Sequence, residues 1–362
     1  MPDDVLIIGG GFAGLSAGVA LAEAGRRVRL IEQRSYLGGR ARSFYYAPMN
    51  AVVDNGQHIF MGCYHATIGF LRTIGSLDRI RFQPRLKVHF MGKEEGRTSL
   101  VFPAVPAPFH LVLGALISGS LSLGEKLQVL HLRNALRHSD SGPPLDSSEK
   151  FNSLTVDEWL GRLGQSAKLR RNLWDLLCIA ALNEDPHIAA AGFFEPVLRL
   201  ALFQSPRDSC IGLASSGLSE CYTEAAAEFI RRHHGQVELE RNVTGFLLSE
   251  AKDGAAAACR GVQISDGSVI HANAVLSAVP CFQLARLLPE DLLSRHKFFA
   301  GFTALRPAPI ISVNFWFDRA VTDLEFVGLR GTNIQWLFNK GMLLRSGQNY
   351  VSLVISGAHE HI

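Results

Sequence analysis

No C-x-x-C pair occurs in this chain, and its six cysteines (Cys63, Cys178, Cys210, Cys221, Cys259 and Cys281) stand singly. That spacing excludes a dithiol redox centre and the common zinc patterns, and it reads as reduced thiols in a cytosolic protein. Basic runs interleaved with aromatics are also missing and the formal charge is only +3, so no nucleic-acid partner is expected. The first apolar run follows Asp3 and Asp4 rather than a basic segment, the wrong polarity for a secretory signal. Long apolar runs are lacking too. Residues 98–124 hold no Asp, Glu, Lys or Arg, but Pro103, Pro106 and Pro108 interrupt them. About 15 residues remain from Phe109 onward, short of the ~20 that a spanning helix needs. A helix that is buried or laid on a bilayer surface is expected there. The expected location is cytoplasmic, with peripheral contact on the inner face of the membrane.

What is present is a large apolar fraction, 47% against 19% charged residues in a chain of 362. That is enough for two domains with ample cores. Residues 4–9 read as a buried strand, residues 13–24 as a helix rich in small residues, and residues 27–32 as a second strand. Strand, glycine turn, helix and strand within about thirty residues make a βαβ unit with a parallel sheet. The turn is Gly9-Gly10-Gly11-Phe12-Ala13-Gly14, a G-x-G-x-x-G that directly follows a strand and opens a helix. Gly9 permits the tight turn, Gly11 lets backbone approach a pyrophosphate, and Gly14 lets the helix pack closely on the strand. The helix N-terminus offers amides and partial positive charge to phosphates. Glu32 closes the second strand, where an acid accepts hydrogen bonds from ribose hydroxyls.

Two short alternating strands are expected over residues 86–102, then helices over 109–137, 155–163, 167–182 and 189–203. Residues 139–148, with Pro143 and Pro144, read as a loop. A helix over 218–234 precedes a strand at 236–239. A hairpin-like piece, 261–271, precedes an apolar strand, 274–278. Further strands are expected at 310–317, 326–330 and 350–356. This order implies two interleaved domains, one from residues 1–84 and 205–285, the other from residues 85–204 and 286–362.

Gly38-Gly39-Arg40-Ala41-Arg42-Ser43 resembles the R-x-G-G-R-x-x-S element of the flavin amine oxidase and phytoene desaturase superfamily. Asp54-Asn55-Gly56-Gln57-His58 is similar to its D-x-G-x-H segment, which runs beside the flavin. Residues 235–239 with Val243 resemble the family strand whose backbone pairs with the adenine, and residues 274–280 resemble the strand that follows. The resemblance implies an α/β protein in which a Rossmann-like FAD-binding domain is interleaved with a mixed α+β substrate domain. It implies FAD as cofactor, held at Gly9, Gly11, Phe12, Ala13, Gly14, Glu32, Gly38, Gly39, Arg40, Gly56, Gln57, His58 and Val243. The family's closing G-D motif does not occur before Ile362, so the chain is expected to be the greater part of a longer protein.

Within that superfamily, three stretches are similar to the hydroxysqualene dehydroxylase family: residues 53–64, 174–183 and 193–199. The implied substrate is an apolar polyisoprenoid, for which an apolar tunnel is the fitting site. The implied reaction replaces an allylic hydroxyl by hydride from reduced flavin, with a general acid at the leaving oxygen. His58, Glu184, Asp185 and Glu195 are candidates for that acid, with none singled out; Glu184 and Asp185 equally suit the cap of a helix beginning near His187. Two other readings stand beside this one. One is a flavin desaturase or amine oxidase; the other is a prenyl-lipid-binding protein without redox activity.

Overall fold

The computed structural model describes residues 3–93, 96–103, 105, 114, 121–137, 153–249 and 258–361. The expected loop at 139–148 and most of the expected helical start at 109–120 lie outside the described residues. The chain divides into two compact units. One comprises Met1–Asn55, Ala66–Arg79 and Ser216–Pro307; the other comprises Gly56–His65, Ile80–Ser215 and Ala308–Ile362.

The first unit is built on Leu6, Ile7 and Ile8, three consecutive buried residues. A strand buried on both faces carries such a run only inside a covered, mostly parallel sheet. The six strands lie in the order Gln236–Glu238, Val28–Ile31, Asp3–Ile8, Val269–Ser277, Cys259–Ile264 and Val243–Leu248. The first four are mutually parallel and the last two antiparallel. The Phe12–Glu23 helix is the crossover between its two parallel strands, and it packs on the Leu218–Arg232 helix, where Gly18 faces Ile230.

One sequence expectation needs correction. The hairpin at 261–271 and the strand at 274–278 are one structure, because Val269–Ser277 runs unbroken. Its first half pairs antiparallel with Cys259–Ile264 and its second half parallel with Asp3–Ile8. No glycine or proline interrupts residues 269–277, so nothing stops the strand.

The second unit carries a six-stranded sheet ordered Ile310–Trp316, Tyr350–Ser356, Trp336–Asn339, Phe326–Arg330, Lys87–Gly92 and Gly96–Val101. Its single parallel pairing sets Gly328 opposite Phe90, joining distant parts of the chain. The short strand Trp336–Asn339 was not foreseen; four residues carry too little periodicity to announce themselves. Helices Val156–Arg162, Asp175–Leu182 and Ala191–Leu198 pack beside the sheet around Trp159, Trp174 and Phe194. The first is closed by a capping box, in which the Thr155 hydroxyl accepts from the Glu158 amide and the Glu158 carboxylate accepts from the Thr155 amide. Buried Trp174 donates to Gln165 at 3.0 Å, which satisfies its indole N–H.

Gly14 tests the packing of the crossover. A Cβ there would lie 1.9 Å from the Gly9 carbonyl oxygen, whereas one on Gly69, in the His65–Thr73 helix, meets nothing within 4 Å. Gly14→Ala is therefore expected to lower the urea midpoint by the equivalent of about 1–3 kcal/mol. Gly69→Ala is expected to raise it by roughly 0.5–1 kcal/mol. Equal midpoints for the two variants would show that the first strand and helix are not packed as described.

Candidate functional site

Two glycine turns of the first unit meet in the structure. Gly9 sits at φ +106°, a conformation costly for residues with a Cβ, and carries the chain from the first strand into the helix. Gly38, also at φ +106°, donates its amide to the Gly10 carbonyl at 2.9 Å. Gly39 lies against Gly11, so close that a Cβ on it would be 3.2 Å from the Gly11 Cα. Motifs separated by more than two dozen residues thus form one surface.

Glu32 holds the turns in place. It is buried, and one carboxylate oxygen accepts from the Gly10 amide at 2.7 Å while the other accepts from the Arg34 amide at 2.9 Å. Each oxygen keeps a further acceptor position, so this bracing leaves room for a ligand hydroxyl. The backbone around it is tied as well. The Glu32 amide donates to the Glu238 carbonyl, and the Arg241 amide donates to the Glu32 carbonyl, both at 2.9 Å. Those bonds bring the segment leading to Val243 beside the acid. Val243 itself begins the edge strand Val243–Leu248, and its side chain packs with Leu6, Ile8 and Ile31.

The helix that starts at Phe12 has no side-chain cap and no acid in its first turn. An uncapped N-terminus presents amides and positive potential to an anion. Around the position of a Gly11 Cβ there is open space to 4 Å. Ala13 and Arg40 are exposed beside this opening in sequence, and the Arg40 carbonyl accepts from Asn55 Nδ2 at 3.1 Å. An uncapped helix end, an open glycine and a buried acid with spare acceptor capacity fit a dinucleotide diphosphate and its ribose.

Sequence reasoning missed the residues that support these turns. Tyr222, buried in the Leu218–Arg232 helix, places its phenol 2.7 Å from the Ala41 carbonyl and 2.9 Å from that of Gly38, sharing one proton between them. Burial raises its pKa well above the usual phenol range, so it remains a donor. Its ring also meets Phe12, at 4.8 Å between centroids, and Phe12 meets Phe70 at 5.2 Å. Ser43 and Asp54, read as parts of the flavin motifs, have a structural part too. The Ser43 hydroxyl donates to Asp54 Oδ1 at 2.6 Å, and the same oxygen accepts from the Leu218 amide at 3.0 Å. Asp54 thereby supplies negative charge to the start of a helix whose N-cap, Gly217, has no side chain. A Cβ on Gly217 would press to 2.8 Å on Ser43 Oγ, which is the requirement for glycine there.

Gly56, Gln57 and His58 belong to the second unit. His58 is exposed, its Nδ1 3.1 Å from the Gly56 carbonyl. Gln57 Nε2 is buried and has no hydrogen-bond partner, a donor that a bound ligand would satisfy. The other acid candidates in this unit do not converge on one task. Glu195 is fully buried with Arg199 Nε 3.4 Å away. Glu184 lies 3.2 Å from His359 Nε2 and accepts from the Asp185 amide at 3.0 Å. Asp185 accepts from the His187 amide at 2.8 Å and pairs with its ring. The helix expected over 189–203 forms but begins at Ala191, so Asp185 closes a turn ahead of it instead of capping it. Its carboxylate holds the His187 imidazole pKa above the ordinary value.

A further carboxyl was overlooked. Asp175 opens the Asp175–Leu182 helix with Oδ1 buried and without a hydrogen bond, and burial and then the nearby Asp157 charge raise its pKa. That is the tendency a proton donor needs. Neighbouring Cys178 is pushed up to about 12, chiefly by burial, which removes it as a nucleophile at neutral pH. A recess in the same unit, lined by Phe90, Leu100, Leu121 and Leu173 with Glu125 and Arg330, has a volume of only about 20 Å³. It is too small for a polyisoprenoid chain.

The fold, with its two facing glycine turns, is that of the two-unit flavoproteins. The sequence pattern of flavin containing amine oxidoreductases matches residues 12–356, and the chain belongs to that family. It is 26% identical over 324 residues to a 15-cis-phytoene desaturase of Synechococcus elongatus, covering 89% of this chain and 67% of that one. To a hydroxysqualene dehydroxylase of Sinorhizobium fredii it is 28% identical over 348 residues, covering 93% of this chain and 74% of that one. The chain spans between 56% and 67% of the length of the phytoene desaturases it matches. In fold it is similar to an oxidoreductase from Methanosarcina mazei, with a TM-score of 0.74 at 16% identity over 99% of this chain and 80% of that one.

The opening at Gly11 separates folding from cofactor binding. Gly11→Val has room in the protein alone, so its melting temperature without FAD is expected to stay within about 2 °C of the parent's. Its flavin uptake, read as bound absorbance after gel filtration, should be lost. A variant that retains full flavin would place the diphosphate elsewhere.

Proposed function

We propose that the protein removes the allylic hydroxyl of hydroxysqualene and delivers squalene. The observation that carries this reading is the likeness to hydroxysqualene dehydroxylases over 93–98% of the chain, helical segments of the second unit included. In the balanced reaction the C–O bond breaks, a C–H bond forms from hydride, and a proton leaves with the oxygen as water. Bound in reduced form, FAD supplies the two electrons and the hydride.

The chain's own residues supply binding and exclusion of water. Gly9, Gly11, Phe12, Ala13 and Gly14, with Gly38, Gly39 and Arg40, would hold the diphosphate; Glu32 would take the ribose and the main chain near Val243 the adenine. Gly56, Gln57 and His58 would line the ring system, the Gln57 amide gaining the partner it lacks. The apolar helices around Trp174 and Phe194 suit a substrate without charge. Asp175, with its raised pKa, joins His58, Glu184, Asp185 and Glu195 as a candidate to protonate the leaving oxygen. Among the described residues, no helix is long and apolar enough to cross a membrane.

A second reading is a carotenoid-type desaturase, favoured by the likeness to phytoene desaturases over 89% and 95% of the chain. The two differ in the direction of electron flow. Chemically reduced protein under anaerobic conditions is expected to convert hydroxysqualene to squalene, identified by gas chromatography and mass spectrometry. Unchanged hydroxysqualene, together with new double bonds in phytoene given to the oxidised protein, would replace this proposal with the second reading.

A further inference from the structure

The turn that carries Gly38 and Gly39 departs from the R-x-G-G-R-x-x-S pattern at its first position, where Tyr36 stands in place of arginine. The Tyr36 hydroxyl accepts from Arg34 Nη1 at 2.9 Å, and the Arg34 guanidinium carbon lies 5.7 Å from the ring centroid. From beyond the glycine pair, Arg42 lays its own guanidinium over the same ring, 3.9 Å from the centroid. The cation that position 36 lacks is thus returned to it by a neighbour.

The course of the chain explains how Arg42 reaches back. Gly38 and Gly39 both have positive φ, +106° and +56°, and the Ala41 amide donates to the Gly38 carbonyl at 3.1 Å. A Cβ on Gly38 would lie 3.1 Å from that of Arg42, so the arginine starts directly against the turn. Gly39 in turn lies against Gly11, where the protein leaves open space.

Charge indicates what the arginine serves. Residues 32–42 contain three arginines, Arg34, Arg40 and Arg42, and a single acid, Glu32. None of the three arginines makes an ion pair with another described residue. Glu32 is engaged by the Gly10 and Arg34 amides instead. A guanidinium stacked on a ring spends only its face, and its in-plane N–H groups remain for an acceptor. The positive excess around this turn matches the two negative charges of a dinucleotide diphosphate.

We propose that Arg42, stacked on Tyr36, is a diphosphate-binding residue of the cofactor site and takes the place of the arginine that the pattern carries at position 36. The inference rests on FAD seating its diphosphate between the two glycine turns, and it adds a residue that the sequence motifs do not assign. Tyr36 is a positioning residue. Its ring holds the guanidinium flat, so less freedom is lost when the ligand arrives.

Affinities of the flavin-free protein for FAD, ADP and adenosine, measured by calorimetry, test this assignment. The parent is expected to bind ADP more tightly than adenosine, by a margin that narrows as salt rises. Arg42→Gln should weaken FAD and ADP by about tenfold or more, through loss of a charge-assisted bond, and leave adenosine unchanged. Tyr36→Leu should weaken both by roughly two- to fivefold, through loss of the stack. The double variant Tyr36→Arg/Arg42→Gln moves the cation to position 36 and should recover most of the loss, which a misfolded protein would not do. Melting temperature without FAD reports folding separately. Unchanged FAD and ADP affinity in Arg42→Gln would overturn the proposal, as would adenosine weakened as much as ADP. A parent that prefers ADP, with Arg42→Gln keeping that preference, would remove Arg42 alone from the site. A parent without the preference would remove the diphosphate from these turns and the proposal with it.

Discussion

The bond from the Gly10 amide to the Glu32 carboxylate is the constraint on which the site depends. It fastens the glycine turn after the first strand to the end of the second, and the Gly38 amide adds the next turn through the Gly10 carbonyl. A buried carboxylate is costly unless its oxygens are hydrogen-bonded, and here two main-chain amides meet that demand. Because backbone donors do this work, the acid keeps acceptor capacity while staying fixed. The turn after the first strand is therefore held by the protein's own main-chain bonds.

A second layer supports the first. The helix Leu218–Arg232 reaches the site from far along the chain, with Tyr222 under the Gly38–Ala41 turn and Leu218 on Asp54. Two motif residues that look like ligand contacts, Ser43 and Asp54, hold that helix in place. Conserving the shape of the cradle and contacting the cofactor are different tasks, and the structure assigns these two residues at least the former. The Phe12, Phe70 and Tyr222 rings fill the space between the helices, so the turn rests on packed aromatic surface.

Much of this was legible in the sequence, for physical reasons. The βαβ start could be read because a fully buried strand, a glycine turn and a helix of small residues each leave a local pattern, and the paired sheets of both units follow from such strands. Glu32 was readable from its distance behind the glycines. Tyr222 was not, because a tyrosine in an amphipathic helix has no local mark that distinguishes a carbonyl partner some 180 residues away. The fused strand Val269–Ser277 was split because its two halves face different neighbours, and polarity patterns record neighbours rather than continuity. Asp175 escaped notice since its raised pKa arises from burial and from Asp157, which only folding brings near.

The central claim is that the turns of residues 9–14 and 38–42 receive the diphosphate of FAD. Amide hydrogen exchange by mass spectrometry, with and without saturating FAD, addresses it peptide by peptide. The account predicts slowed exchange in peptides spanning residues 9–14 and 38–42, where main-chain donors would face the phosphates. Flavin binding that protects other segments and leaves both turns exchanging as before would contradict it.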